Sequence, residues 1–183
     1  MIALGGMEES SAVPLLSEAL QDPDMRMRQE AAISIARIFQ APNARAYVNE
    51  TVPLLLEHMR DHPEVREAVV QALSRSGSVA AVRPVIQAIG DPDSRVRMEA
   101  ASGLALLAKD RGDASTRDAA LKALIQALND SDPYVVVWTA QALRSFGQAA
   151  SAALPSLRRA LQQLNGDEAG AVKATIELIE AKQ

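Results

Sequence analysis

The fold class this sequence predicts is all-α, a solenoid of about five stacked helix-turn-helix units. Three observations lead there. Alanine fills 34 of the 183 positions, so small helix formers suited to close helix packing are abundant. An acidic turn recurs at Asp22, Asp61, Asp91 and Asp130, at spacings of 39, 30 and 39 residues. No tight turn is flanked by alternating apolar and polar residues, so β structure is expected to be close to absent.

Each unit reads as helix, short turn, helix. In the first helices the apolar residues fall at helical spacing: Val13, Leu16 and Leu20 in one unit, Val52, Leu55 and Met59 in the next. The turn follows as Asp-Pro-Asp or a relative. An aspartate there caps the next helix, and proline is tolerated in the first turn because its missing N–H has no intrahelical acceptor. The second helices carry a second stripe. It runs through Met27, Ala31, Ile35 and Ile38; then Val65, Val69 and Leu73; then Val96, Ala100, Leu104 and Leu107; then Val135, Thr139, Leu143 and Phe146. Gly77 and Gly147 stand where helices are expected to end.

The longer steps place their extra residues between units, at 40–45 and 109–115, where Pro42, Gly112 and polar clusters mark loops. A fifth unit is degenerate, because 163–167 lacks an aspartate at the expected place. The expected organisation is one repeat domain over 1–183, with units at approximately 8–40, 46–77, 79–109, 115–147 and 149–183. Residues 1–6 look like the tail of a preceding second helix, so the chain is expected to start inside a repeat. A helix pair cannot bury both apolar faces alone, and stacking neighbours is what shields them from water.

Composition removes several functions. With no cysteine there is no disulfide, thiol nucleophile or thiolate metal site, which fits a reducing compartment; a cytoplasmic location is expected. The net charge of −4 disfavours sequence-independent grip on nucleic acid, and two Tyr, two Phe and one Trp are too few for a base-stacking platform. No apolar run is long enough to span a membrane, and the first residues lack the basic start and apolar core of a secretory leader.

Several positions recur in register. Ala12, Val13, Pro14 and Leu16 lead to Asp22, Asp24, Arg28, Ala31 and Ala32. Ala81, Val82 and Pro84 lead to Asp91, Asp93, Val96, Arg97, Ala100 and Ala101. This pattern resembles HEAT repeats, specifically the HEAT-like class also found in phycobilin lyases, over nearly the whole chain. The resemblance implies a right-handed, armadillo-type superhelix with the second helices on its concave side. It specifies fold far better than function.

On that concave side the outward positions are Gln29, Glu30, Ile33 and Arg37 in unit one, and Glu67, Ala68, Gln71 and Arg75 in unit two. In unit three they are Met98, Glu99, Ser102 and Leu106, and in unit four Val137, Trp138, Gln141 and Ser145. Met98, Leu106, Val137 and Trp138 form an apolar cluster with the composition of a binding hot spot; the competing reading folds Trp138 over the stack. The expected partner surface is Met98, Leu106, Val137, Trp138, Gln141, Glu99, Ile33, Arg37 and Arg75. Arg28, Arg66 and Arg97 occupy one column below the turn aspartates and are read as a ladder of ion pairs between units rather than as a ligand grip. Val136 breaks that column, so the interface there should be more apolar.

No catalytic, cofactor-binding or metal-ligating residues are expected. His58 and His62 have a possible metal spacing, but Pro63 ends the helix beside them, and they are read as a solvated helix end. HEAT-like deoxyhypusine hydroxylases hold iron through His-Glu pairs; here Glu57 and His58 stand once and in reverse order. HEAT-like DNA glycosylases are basic along the concave side, where this chain has Glu30, Glu67 and Glu99 against Arg37 and Arg75. No phosphate loop or nucleophile elbow is present. The expected function is therefore a non-catalytic scaffold that binds a protein or peptide partner. The alternatives are a lyase-like chromophore-handling protein or a piece of a larger repeat protein. The irregular spacing argues against an idealised, designed array.

Overall fold

The architecture is that of a computed structural model, which describes residues 12–41, 45–110 and 113–181. The expectation for residues 1–6 lies outside these. All regular elements among the described residues are helical. In chain order they are α1 (12–19), α2 (Met25–Ile38), α3 (Arg45–Glu57), a 3-10 turn (His58–Arg60) and α4 (Pro63–Arg75). Then come α5 (Val79–Ala88), α6 (Ser94–Asp110), α7 (Ala114–Ala127) and α8 (Pro133–Leu143). A 3-10 stretch (Arg144–Ala153), α9 (Leu154–Leu161) and α10 (Gly166–Glu180) complete the chain.

Even-numbered helices pack side by side in one layer, α2 on α4, α4 on α6, α6 on α8 and α8 on α10. Odd-numbered helices form a second layer that touches less closely. The tighter layer is the inner arc of the solenoid, because curvature brings the helices of that side together. One continuous core runs between the layers, through Leu20, Ile35, Leu55, Leu73, Leu104, Leu124, Leu143 and Leu157.

The turn sequence does two jobs. In Asp22-Pro23-Asp24 the first carboxylate accepts the N–H of Asp24 at 2.8 Å, and the second caps α2 by accepting the N–H of Arg26 at 2.8 Å. Asp91 with Asp93, and Asp130 with Asp132, repeat this arrangement. Only the second aspartate is the cap, so Pro23 and Pro92 precede it rather than entering the first helical turn. Pro63 and Pro133 do open α4 and α8. Gly77 (φ 57°) and Gly147 (φ 58°) hold the left-handed conformation that a side chain disfavours, and Gly147 breaks the 3-10 stretch in two.

The arginine column forms the expected ladder. Arg28 donates to both carboxylate oxygens of Asp61 at 2.7 and 2.8 Å, and to the backbone carbonyls of Asp22 and Pro23. Arg66 does the same to Asp91 at 2.8 and 2.6 Å, and reaches the Asp61 carbonyl. Arg97 holds Asp130 at 2.7 and 2.9 Å, and the carbonyls of Asp91 and Pro92. Each guanidinium therefore closes its own turn and clamps the next unit. His58 adds to the first rung, with Nδ1 3.1 Å from Asp61 and Nε2 3.4 Å from Gln21. The ladder ends at unit four, where Val136 is buried beside Leu164 and Gln163 around a slot of about 150 Å³.

Three expectations need correction. Met27 is not in the core: it is 48% exposed. The matching positions Val65, Val96 and Val135 are fully buried in units that follow another unit, and among the described residues no unit precedes α2. Ala68 does not point outward but is buried, since a side chain ending at Cβ is covered by the flanking helices. The second long connection is shorter than the expected 109–115, because α6 continues to Asp110 and α7 begins at Ala114.

Close approach of α4 to α6 depends on Gly103. A Cβ there would lie 2.8 Å from the Cβ of Ser74, whose hydroxyl is tied to the Val70 carbonyl at 2.7 Å. Gly103→Ala is expected to destabilise by about 1 kcal/mol in a urea titration: overpacking costs about 1–3 kcal/mol and helix propensity returns about 1. Adding Ser74→Gly moves the space across the interface and should restore the midpoint; a single variant as stable as the parent would contradict this packing.

Candidate functional site

On the open side of the inner layer, α4, α6 and α8 frame a groove. One helical face of α6 supplies most of it. Val96, Ala100, Leu104 and Leu107 are spent on the core, so Arg95, Met98, Glu99, Ser102 and Leu106 turn away from it. The Ser102 hydroxyl is satisfied within the helix, donating to the Met98 carbonyl at 3.2 Å.

Two depressions make up the groove. The first, of about 140 Å³, is lined by Glu67, Arg95, Met98, Glu99, Ser102 and Trp138. The second, of about 300 Å³, extends past Gln71, Arg75 and Leu106, with Ser74 and Gly103 in its floor. Glu99, Ser102 and Trp138 border both, which makes them one continuous feature. Trp138 remains 47% exposed and lines the groove instead of closing over the stack. Tyr134, one turn earlier on α8, is also exposed.

Charge in the groove is uneven. Burial pushes the Glu67 carboxyl above its ordinary value, against the pull of Arg95. Burial also raises Glu99; Arg75 opposes the rise and Glu67 adds to it. Neither carboxylate has an ion-pair or hydrogen-bond partner among the described residues. Arg95 is already engaged: it donates to Asp93 at 3.1 and 3.0 Å and to Glu64 at 3.2 Å, and those hydrogen bonds raise its own pKa. Glu64 is held low first by a hydrogen bond from its own backbone N–H and then by Arg95, and Asp93 is held low first by Arg95.

Of the residues singled out from sequence, Met98, Glu99, Leu106, Trp138 and Arg75 meet in this groove. Val137 and Ile33 are half-buried against the core, while Gln141 and Arg37 are exposed beyond the groove lining. Sequence reasoning left out Arg95, although its place one turn before Met98 and Glu99 puts it on the same helical face. Among the described residues no three His, Asp or Glu side chains form a group able to hold a metal. Among them also, no helix is long and apolar enough to cross a membrane.

Comparison with known proteins now fits this geometry. Residues 52–116 match the family described as HEAT repeats. No curated protein matches the chain. Among solved structures, one engineered protein aligns at 21% identity and TM-score 0.67 over 99% of this chain and 51% of that one. This chain thus spans about half the length of that structure. A designed armadillo repeat protein solved in complex with the peptide (KR)4 aligns at 19% identity and TM-score 0.68, over 96% of this chain and 84% of that one. Computationally designed armadillo repeat proteins for modular peptide recognition align at 18% identity and TM-score 0.64, over 95% and 84%. The fold they share is the α-solenoid of stacked helical repeats. Within that class, residues 52–116 are similar to HEAT repeats.

Proposed function

We propose that the chain is a non-catalytic interaction scaffold that binds a protein or peptide segment in the groove of α4, α6 and α8. The observation that carries this reading is Trp138, half exposed at a groove to which three successive units contribute. A tryptophan beside Met98 and Leu106, rimmed by polar side chains, has the makeup of an interface anchor. The groove is built on helices fixed by the ladder and the core, so little ordering cost falls on the scaffold when a partner docks. Designed armadillo repeat proteins of the same fold are described as recognising peptides, which supports an extended segment as the ligand.

The test is selection of displayed random peptides against the purified protein, followed by affinity measurement. Selected peptides are expected to bind Trp138→Ala at least tenfold more weakly, and to bind the remote Arg159→Ala control unchanged. Trp138 is partly exposed, so its removal should leave the far-ultraviolet circular dichroism intact. Peptides that bind Trp138→Ala as tightly as the parent, or failure to enrich any peptide, would refute the reading.

A further inference from the structure

We infer that the groove selects a cationic side chain, the lysine or arginine of a partner peptide, with its charge against Glu67 and Glu99 and its flank on Trp138. This rests on the groove being the binding surface proposed above, and adds the chemistry of what enters it.

The argument starts from an electrostatic imbalance. Four carboxylates, Glu64, Glu67, Asp93 and Glu99, surround the first depression and its approach, against two guanidiniums, Arg75 and Arg95. Arg95 is spent on Glu64 and Asp93. Arg75 acts on Glu99 through space without forming an ion pair among the described residues. Glu67 and Glu99 are left partly desolvated, close enough to repel one another, with no donor of their own among the described residues. Burial makes their ionised forms costly, and a cation entering between them offsets that cost.

Trp138 supplies the second half of the site. An indole face attracts a cation with about 0.5–2 kcal/mol, more when water is excluded, and a planar guanidinium stacks on it as well. Met98 and Leu106 are apolar neighbours for the aliphatic stem of a long basic side chain. An acidic or phosphorylated segment meets the opposite: repulsion from both glutamates.

The experiment uses three capped octapeptides: alternating arginine and alanine, the same peptide with citrulline for arginine, and the same with glutamate. Citrulline keeps the shape and removes the charge. Trp138 is the one tryptophan of the sequence, so its fluorescence reports the groove directly. The arginine peptide is expected to shift that fluorescence saturably and to bind at least tenfold more tightly than the citrulline peptide, with the glutamate peptide weakest. In the double variant Glu67→Gln, Glu99→Gln the tenfold preference should vanish while the dichroism spectrum is kept. Equal binding of the arginine and citrulline peptides, both lost in Trp138→Ala when binding is read by titration calorimetry, would overturn cation selection and leave the scaffold reading standing. A preference that survives the double variant, or no response to the arginine peptide at millimolar concentration, would also overturn it. Failure of the peptide selection above would instead remove the scaffold reading itself.

Discussion

Leu104→Ala is expected to lower the unfolding free energy by about 3 kcal/mol, because truncating a fully buried leucine loses its transfer free energy and leaves a cavity. Leu104 has no exposed surface and lies in α6, the helix that packs on both α4 and α8. Neither neighbour can collapse into the space without giving up contacts with its other neighbour. The architecture adds a signature that a single closed core would not produce. In a one-dimensional stack, stability is close to a sum of unit and interface contributions, so weakening the middle unit uncouples the two ends. Denaturant unfolding should therefore show a lower midpoint together with a broader or divided transition, visible as a reduced m-value. An unchanged midpoint, or an equally sharp transition at lower denaturant, would contradict this account.

Asp61→Ala is the second large effect, expected at about 2 kcal/mol at neutral pH. That is below the 3–5 kcal/mol of a fully buried pair because the rung lies near the surface. The substitution removes both carboxylate oxygens that Arg28 holds across the units, leaving its side chain, 15% exposed, with its backbone acceptors alone, and it removes the Nδ1 partner of His58. The pH dependence carries a definite sign. The Arg28 hydrogen bonds hold the Asp61 carboxyl well below the usual carboxylate range, against the opposing effect of burial. A depressed folded value means that the contribution is complete above the unfolded pKa of about 4 and is lost as pH falls towards the folded one. The stability gap between parent and variant should thus be constant from neutral pH to about 5 and shrink in stronger acid. Titrations at pH 7, 4 and 2.5 check this, and a gap independent of pH would remove the ion pair as its source.

Much of this fold was legible because its determinants are short-range and periodic. The recurring aspartate fixed the units, and the arginine six residues later in units one and three, five in unit two, exposed the ladder. Met27 was misread for a physical reason: it has the right period for the core, but among the described residues no earlier unit covers it. Ala68 was misread because position on a helical face says nothing of side-chain length. Within the groove, Met98, Glu99, Leu106 and Trp138 were visible as outward positions. The meeting of Glu67 with Glu99 was not, because it depends on the register of α4 against α6. That register is set by the contact of Ser74 with Gly103, 29 positions apart in the chain.

The ladder clamps only one edge of the array, the edge where each first helix turns into its second. The opposite edge carries connections of unequal length and no matching row of charged clamps among the described residues. Any change in curvature must then pivot about the clamped margin, as the blades of a hand fan turn on their rivet. Opening splays the Arg75 and Leu106 end of the groove while the Glu67 and Arg95 end, nearest the rivet, keeps its width. The clamped margin thus sets the width of the groove at its Glu67 and Arg95 end and leaves the far end as the side where curvature can vary.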